Sequence, residues 1–439
     1  MNRAVTPDII RRGPRGRIVP GSSRDFLSLD PDQPHRRPLH PRNPHFGSTR
    51  GACGMRTMGS LSLFVAAAAS LNAGPLSLLD LGGGFAYGIN DSGQVAGWAN
   101  AVGGAQHAFL YNLGSGMTDL GTLGGASSFA FGINNFGQVV GNADTAGNGA
   151  QRAFLYNNES GMTDLGTLGG ANSFANRINN SGQVVGWADV AGDLTVRAFL
   201  YDNGSGMRDL GTLGGTYSQG LGINDAGQVV GLAATAGDAA AHAFLYTSGS
   251  GMTDLGTLGG AFSAAFGIND SGQVVGVSTI AGDDTVQHAF LYDSGSGMTD
   301  LGTLGGASSF AFEISNAGQV VGRAATAGDV AQHAFLYSAG SGMTDLNSLI
   351  PSGSVFSELN EAPGINDLGQ IVGKGRVGGQ SHAFLLTLPD AETPEPGTFP
   401  LLGCGLAGVA ISRRRVRSSV PRPCSTALLR TREPTHSGL

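Results

Sequence analysis

Five histidines recur at equivalent positions of the chain, each at the start of a short His-Ala-Phe-Leu segment. They are His107, His242, His288, His333 and His382. Imidazole is the commonest metal ligand in proteins, so a periodic histidine series raises the question of a metal site. Two further copies of the segment begin with Arg152 and Arg197, and a guanidinium cannot replace a neutral imidazole as a ligand. We therefore interpret the histidines as polar, partly exposed residues at strand starts, and we predict no metal site.

A second periodic series consists of carboxylates: Asp80, Asp119, Asp164, Asp209, Asp254, Asp300 and Asp345. Catalysis by a carboxylate pair needs two differently tuned acids within one site. A series of equivalent copies has no such asymmetry. We predict that these carboxylates accept hydrogen bonds from turn amides or cap a neighbouring hairpin, and we predict no catalytic residue.

The turns of residues 75–390 are rich in Asn, Asp and Gly, and two of them, 90–93 and 281–284, resemble fragments of a calcium loop. They lack the spaced oxygen ligands and the terminal Glu of such a loop, so ordinary turn chemistry explains them. Weak surface binding of calcium stays open. A nucleophile elbow, a phosphate loop and a zinc-protease motif are missing from this region, and we predict no cofactor.

The residues that depart from the repeat are the better candidates for function. The clearest departure is 347–361, a longer connection that contains Pro351, Phe356 and two Glu. Trp98 and Trp187 are the only tryptophans, and each follows a predicted second strand. Exposed tryptophans could stack on sugars, but we favour a role in core packing.

These residues belong to a repeat of about 45 residues. The segment Gly-Ile-Asn-Asp-Ser-Gly-Gln-Val-Ala-Gly at 88–97 recurs six times, and its third residue follows at steps of 44, 45, 45, 45, 46 and 51 residues. The third residues are Asn90, Asn134, Asn179, Asn224, Asn269, Ser315 and Asn366. A fixed period of this length indicates seven units of one supersecondary structure.

Each unit divides into four short strand candidates, which in the second unit are 129–133, 138–141, 152–156 and 162–165. Large and small residues alternate along the first of them, and turns rich in Asn and Gly separate the strands. The chain contains 74 Gly in 439 residues, a content that disfavours a mainly helical protein. Four antiparallel strands repeated seven times predict an all-β fold, a seven-bladed β-propeller over 75–390.

The order of the strands at the two ends of this region predicts a closed ring. A lone fourth-type strand, 78–82, precedes the first unit, and the third-type strand 382–386 ends the last one. The N-terminal strand can therefore complete the last blade and remove exposed edges. A linear β-solenoid is the alternative, but it would need atypical polar caps.

The repeated His-Ala-Phe block resembles the HAF repeats of extracellular bacterial proteins, over residues 76–386. The resemblance implies export and a repeat architecture. It transfers no catalytic residues to this chain.

The distribution of charge disfavours nucleic acid as a partner. Residues 75–390 carry seven Lys and Arg but 25 Asp and Glu, a net charge of −18, whereas the whole chain has −7. Such a body repels a phosphate backbone. Cys53, Cys404 and Cys424 all lie outside it, so we predict neither disulfides nor a cysteine-ligated metal within it.

The N-terminal region is typical of a processed leader. Residues 1–54 carry ten Arg and eight Pro without an apolar period, which predicts a disordered preface. Residues 55–74 combine a basic start, a short apolar run and small residues, the pattern of a secretory signal peptide. Because signal peptides begin chains, we expect Met55 or Met58 to be the true initiator. The alternative is a buried apolar segment behind a genuine basic tail.

The C-terminal region combines a Pro-Glu-Pro element, a short apolar run and an arginine cluster. The candidate sorting residues are Pro394, Glu395, Pro396, Arg413, Arg414 and Arg415. This order resembles the PEP-CTERM sorting signal of Gram-negative bacteria. The resemblance implies that an exosortase, a membrane-embedded thiol protease, removes the tail after export, so that the apolar helix enters the membrane transiently. We assign the signal to 391–417 and a disordered tail to 418–439. A simple anchor and an unstructured tail are the alternatives, and whether the tail blocks sorting stays open.

Together these patterns predict an exported protein of the cell surface or extracellular space. We expect a non-enzymatic matrix or recognition module with a polysaccharide or matrix partner. The alternative is a secreted hydrolase or lyase that acts on polysaccharides, which should show a unique polar cluster that breaks the repeat. A gene remnant is the third possibility.

Overall fold

The computed structural model describes residues 76–101, 103–192 and 195–389. The predicted preface, signal peptide, sorting signal and tail lie outside the described residues, as do the three cysteines. Among the described residues, no helix is long and apolar enough to cross a bilayer.

The described chain is all-β, with four short 3₁₀ turns. The first three units contain β1 (Ser77–Ile89), β2 (Val95–Asn100), β3 (Gln106–Asn112), β4 (Gly116–Asp119), β5 (Gly124–Ile133), β6 (Val139–Thr145), β7 (Gln151–Asn157), β8 (Gly161–Asp164), β9 (Gly169–Ile178), β10 (Val184–Val190), β11 (Val196–Asp202) and β12 (Gly206–Asp209). The 3₁₀ turns are Ala146–Asn148, Ala236–Asp238, Ala327–Asp329 and Leu346–Leu349.

The last four units follow the same order, except that the seventh contributes three strands of its own. They contain β13 (Gly214–Ile223), β14 (Val229–Thr235), β15 (Ala241–Thr247), β16 (Gly251–Asp254), β17 (Gly259–Ile268), β18 (Val274–Ile280), β19 (Asp283–Asp293), β20 (Gly297–Asp300), β21 (Gly305–Ile314), β22 (Val320–Thr326), β23 (Gln332–Ser338), β24 (Gly342–Asp345), β25 (Phe356–Ile365), β26 (Gln370–Val377) and β27 (Gln380–Thr387).

Within the described residues these strands form five sheets, and no sheet closes on itself. The second, third and sixth units each form a separate four-stranded sheet. A seven-stranded sheet has the order β25-β26-β27-β1-β2-β3-β4, and an eight-stranded sheet joins the fourth and fifth units. Neighbouring strands within a unit are antiparallel, so the arrangement is propeller-like.

Two connections between units reduce the number of sheets from seven to five. The fourth and fifth units are joined by a single parallel bridge between Ala241 and Phe262. The first and seventh units share β1, which pairs with β27 from Ser77 to Gly83 and with β2 from Gly84 to Ile89. One continuous strand thus serves as the fourth, outer strand of the seventh unit and as the first strand of the first unit. We call the first strand of each unit its inner strand.

The inner strand of each unit is longer than the sequence pattern indicates. In the second unit it begins at Gly124 rather than at Phe129. In the third unit it begins at Gly169. In the second unit the added residues are Gly, Ala and Ser, so the alternation of large and small side chains does not extend over them.

The core of each unit is a phenylalanine from the third strand. All seven are fully buried: Phe109, Phe154, Phe199, Phe244, Phe290, Phe335 and Phe384. The hairpin before it is closed by a tight turn, in which Gly137 N–H donates to Asn134 O at 3.0 Å. Gly137 has a φ of +74°, a conformation that favours glycine.

A glycine in the second strand lets two strands approach around this phenylalanine. A Cβ added at Gly141 would lie 1.8 Å from Phe129 O and 2.9 Å from the Cα of Ala130. The six equivalents, Gly97, Gly186, Gly231, Gly276, Gly322 and Gly373, show the same close approach. A side chain at this position therefore requires the strands to separate.

Serines of the inner strands link neighbouring units. Ser128 Oγ accepts a hydrogen bond from Ala108 N–H at 2.9 Å and donates to Gly121 O at 2.5 Å. The same contacts are made by Ser173, Ser218, Ser263 and Ser309. Each buried hydroxyl is fully satisfied, so it adds specificity to the junction between units.

A ladder of asparagine side chains also runs from unit to unit. Asn90 Oδ1 accepts from two amides of its own turn, while its Nδ2 donates to Asn134 O at 2.9 Å. Equivalent Nδ2 donors are Asn134, Asn179, Asn224, Asn269 and Asn366. Asn366 donates to Asn90 O at 2.9 Å, which joins the last unit to the first.

We predict that Gly141→Ala lowers the free energy of unfolding by several kcal/mol, since the added Cβ overlaps Phe129 O. Urea unfolding followed by circular dichroism measures the change. Gly149→Ala is the matched control, because Gly149 has a φ of −81° and an added Cβ there meets nothing within 4 Å. Equal stabilities for the two variants would contradict the packing described here.

Candidate functional site

The units differ from one another mainly at one cross-strand pair, between the inner and second strands. The pairs are Phe85–Trp98, Phe129–Asn142, Phe174–Trp187, Gln219–Leu232, Ala264–Val277, Phe310–Arg323 and Glu361–Lys374. We call these the variable pairs. They are aromatic in the first and third units, apolar in the fifth, and charged in the sixth and seventh.

An apolar pocket lies beside the variable pairs and encloses about 970 Å³, counting its opening to solvent. We call it the aromatic pocket. Its apolar lining comes from several units: Tyr87, Phe131, Leu221, Phe262, Phe266, Phe310 and Phe312. Its polar lining is Asn176, Arg177, Gln219 and Gln287. A concave apolar surface with a few polar groups is the usual form of a ligand site.

A second pocket, of about 620 Å³, is lined by the repeated Ile-Asn-Asx segment of all seven units, with Ser315 in place of Asn in the sixth. Its outer residues are Asp91, Asn135, Asn180, Asp225, Asp270, Asn316 and Asp367. Each of these side chains accepts a hydrogen bond from the backbone of the preceding unit, as in the 3.0 Å bond from Asp91 N–H to Asn135 Oδ1. These polar groups already form hydrogen bonds between units, so we interpret the second pocket as a structural element.

An ion pair lies between these two pockets. Arg177 Nε and Glu313 Oε2 are 3.0 Å apart, and each side chain is about one-fifth exposed. Arg177 Nη1 also donates to Phe131 O and to Asn176 O. Burial raises the pKa of the Glu313 carboxyl above its ordinary value of 4.5, although Arg177 opposes that shift. The pair joins the third and sixth units.

The sequence analysis did not identify this pair. The equivalent residues in the other units are glycines: Gly88, Gly132, Gly222, Gly267 and Gly364. Replacement of a repeated glycine by a charged residue in two units was the available signal. That the two charges meet could not be read from the sequence, because they are 136 residues apart.

A third cavity, of about 780 Å³ with its opening, lies between the sixth and seventh units. We call it the junction cavity. Its charged lining is Arg323, Lys374, Arg376, Glu358 and Glu361. Glu361 is almost completely buried and lies 3.5 Å from Arg323 Nη1 and 3.4 Å from Lys374 Nζ. Glu358 lies 3.7 Å from Arg376 Nε. This is a unique polar cluster that breaks the repeat, of a kind that the sequence analysis did not find.

The long connection of the seventh unit builds this cavity. Asn347 Nδ2 donates to Leu359 O at 2.9 Å, and Asn347 Oδ1 accepts from Leu359 N–H at 2.8 Å. These bonds hold the start of β25 and thereby place Glu358 and Glu361. The expectation that 347–361 marks a special place in the chain thus has a structural basis.

Two cations of the junction cavity also contact aromatic rings beside the aromatic pocket. Arg323 Cζ lies 4.7 Å from the ring centre of Phe310. Lys374 Nζ lies 5.2 Å from that of Phe85, which contacts Tyr87 at 4.2 Å between ring centres. Because Phe310 lines the aromatic pocket and Arg323 lines the junction cavity, the two cavities lie next to each other at this contact.

Each repeated histidine pairs with a repeated aspartate. The Nδ1–carboxylate distances are 2.7 to 3.0 Å for His107–Asp119, His242–Asp254, His288–Asp300, His333–Asp345 and His382–Asp80. These pairs join the third and fourth strands, and the last one joins β27 to β1. The pairing was not predicted from the sequence. Among the described residues, no group of three or more His, Cys, Asp or Glu is placed to hold a metal.

The prediction that the aspartates accept from turn amides is confirmed. Asp119 Oδ1 accepts from Gly121 N–H at 2.8 Å, and the other six make the equivalent bond: Asp80, Asp164, Asp209, Asp254, Asp300 and Asp345. Burial raises the pKa of Asp119, but the bonds from Gly121 and His107 outweigh it, so that the pKa lies below its ordinary value.

The two tryptophans lie outside the aromatic pocket. Trp187 is buried and stacks on Phe174 at 4.0 Å between ring centres, so the core-packing interpretation is confirmed for it. Trp98 is half-buried and meets the Phe129 ring edge-on at 5.9 Å.

Comparison with protein families identifies two segments. Residues 216–385 match a model described as "Protein of unknown function (DUF3466)". Residues 392–415 match the PEP-CTERM protein-sorting motif, so the predicted motif is confirmed. It is a signal for exosortase processing and implies export in Gram-negative bacteria. The roles of the six candidate sorting residues and the resemblance to HAF repeats stay predictions. No curated protein matches this chain.

Solved structures show distant similarity. TolB from Acinetobacter baumannii has 12% identity and a TM-score of 0.40 over 71% of this chain, which spans 65% of TolB. The β-propeller domain of the Trilobed protease from Pyrococcus furiosus has 10% identity and a TM-score of 0.46, and the match covers 70% of this chain and 96% of that domain. The BP39L lectin from Burkholderia pseudomallei has 9% identity and a TM-score of 0.43, and the match covers 71% of this chain and 98% of the lectin. These similarities are too distant to indicate a ligand or a reaction.

We predict strong coupling between Arg177 and Glu313 in a double-mutant cycle. Glu313→Gly alone leaves the Arg177 cation without its carboxylate and lowers the free energy of unfolding by about 3 kcal/mol. Arg177→Gly with Glu313→Gly restores the glycine of the other five units, so the double variant is more stable than the Glu313→Gly variant. Urea unfolding of the four proteins measures the coupling. Additive effects would contradict the pairing.

Proposed function

We propose that this protein is an exported, non-enzymatic recognition module that binds saccharide chains of an extracellular matrix. Its scaffold is a closed propeller of seven blades, one per repeat unit, in which β1 completes the last blade. The ligand binds at the end of the molecule that carries the variable pairs and the aromatic pocket.

Three contacts between distant parts of the chain support the closed ring. The first strand, β1, pairs with the last strand, β27, over Ser77 to Gly83. The asparagine ladder continues from Asn366 to Asn90 O, and Asp367 N–H donates to Asp91 Oδ1 at 3.1 Å. All seven units also line one pocket at equivalent positions. A linear solenoid would leave its first and last units apart.

The observation that carries the function is the contrast between the two ends. At one end every unit presents nearly the same Ile-Asn-Asx segment, whose side chains are used for bonds between units. At the other end the units differ, and the differing residues surround a pocket rich in aromatic rings. Aromatic rings offer flat apolar surfaces with specific geometry, which suit the apolar faces of sugar rings. In a protein built from repeated units, we expect the residues that serve recognition to differ between units and the residues that serve folding to stay the same.

The sorting motif supports the proposed location. We infer that a signal peptide at 55–74 directs export and that an exosortase then cleaves near Pro394-Glu395-Pro396. The apolar segment before Arg413 would hold the chain in the inner membrane until cleavage. The mature propeller is then released or retained at the cell surface.

An enzyme that acts on polysaccharides is the second candidate. The observation that favours it is the junction cavity, where two glutamates and three cations face one space. Carboxylates near cations are the usual groups of glycan hydrolysis and elimination.

We predict binding without turnover on a glycan array of exopolysaccharide fragments. Phe131→Asn, which copies Asn176 of the next unit, weakens binding of the best fragment about tenfold, because a stacking surface worth about 1.4 kcal/mol is lost. Calorimetric titration measures the affinity. Phe136→Asn is the matched control, since Phe136 is exposed in a turn outside the pocket. Release of reducing or unsaturated ends would identify the enzyme instead, and a wild-type protein that binds no glycan would contradict the proposal.

We predict that the secreted polypeptide ends close to Pro394 and begins after the predicted signal peptide. Mass spectrometry of its two termini, in the native host, measures both. Replacement of Arg413, Arg414 and Arg415 by Gln leaves the tail attached. A secreted chain that retains Leu439 would contradict exosortase processing.

A further inference from the structure

The junction cavity is the one place among the described residues where cations gather. Residues 75–390 contain seven Lys and Arg in a region of net charge −18. Three of the seven line this cavity. Two glutamates accompany them, so the formal charge of the cavity is positive within an otherwise acidic body. A ligand with an anionic group is attracted here and repelled elsewhere on the repeat region.

The charges are not required by the fold. Arg323 and Lys374 occupy the second-strand position of the variable pairs, where the first five units carry Trp, Asn, Trp, Leu and Val. Glu361 occupies the partner position, which is Phe129 in the second unit. Burial of charged groups where apolar ones fit costs stability. Such departures from a local rule are expected at functional sites.

One donor of this cluster is unused. Arg323 Nε is buried and has no hydrogen-bond partner, while Arg323 Nη1 is 3.5 Å from Glu361 Oε2. Buried guanidinium donors are normally satisfied. The planar fork of an arginine matches a carboxylate, which can accept two parallel N–H bonds.

We propose that the junction cavity binds the carboxylate of an acidic saccharide residue, a uronate, of the chain held at the variable end. Arg323, Lys374 and Arg376 bind the carboxylate, and Glu358 accepts from a hydroxyl group of the same residue. The buried Glu361 holds Arg323 and Lys374 in place. The contact between Arg323 of the junction cavity and Phe310 of the aromatic pocket places a neighbouring sugar ring against the aromatic pocket. This inference rests on the proposed function, whose ligand class it specifies.

The test compares two oligomers of equal length and linkage, one of glucuronate and one of glucose, which differ only in the carboxylate. Calorimetric titration of the full-length protein at low and moderate salt should show at least tenfold tighter binding of the glucuronate oligomer. A sulfated glucose oligomer provides an anion of different shape. Tighter binding of the sulfated oligomer than of the glucuronate oligomer would overturn the carboxylate assignment.

Two variants locate the subsite. Arg376→Gln removes a cation whose side chain is 41% exposed, so it leaves the fold intact and reduces the preference for glucuronate at least fivefold. Glu361→Phe with Lys374→Asn converts the seventh pair into the Phe129–Asn142 pair of the second unit and abolishes the preference. Arg208→Gln removes an equal charge outside the cavity, near Tyr246, and leaves binding unchanged.

The outcomes separate this inference from the proposed function. Equal affinity for both oligomers, weakened by Phe131→Asn, would overturn the uronate subsite and support the recognition module. If the wild-type protein binds neither oligomer, the uronate subsite is overturned. The glycan array then decides whether the protein is a recognition module. A preference for glucuronate that survives both cavity variants would also overturn the subsite.

Discussion

The bond from each asparagine side chain to the backbone of the next unit is the constraint on which the rest of the architecture depends. One amide side chain closes its own turn through Oδ1 and fixes the spacing to the next unit through Nδ2, as Asn90 does toward Asn134. Because both ends of the amide are used, substitution at this position costs two sets of contacts at once. This end of each unit is therefore nearly invariant along the chain, apart from Ser315, whereas the variable pairs differ from unit to unit.

Local patterns in the sequence account for much of the fold. Alternation and turn chemistry predict four strands per unit, and the aspartates accept from turn amides as expected, because an Asx turn needs only residues two positions apart. The inner strand was predicted too short, since its first residues, such as Gly124 and Ser127, carry no apolar signal. The joining of the fourth and fifth units in one sheet was also not predictable, because it depends on one bridge at Ala241.

The candidate site was less predictable, because it depends on which units face each other. The Arg177–Glu313 pair and the junction cavity combine residues from different units, and periodicity treats those units as copies. The histidines illustrate the same limit: their position at strand starts follows from the pattern, whereas the carboxylate partner lies on another strand. What the sequence does contain is the exceptions, such as Glu361 in place of Phe, and in a repetitive chain these exceptions indicate where to look.

The double membership of β1 has a consequence for biogenesis. Its first half pairs with residues about 300 positions later, as the His382–Asp80 contact with its separation of 302 shows. Pairings of such high contact order form slowly, and this one cannot begin until the ribosome has synthesised β27. The native state therefore cannot be reached before β27 is made, which suits a chain that carries an export-associated sorting motif.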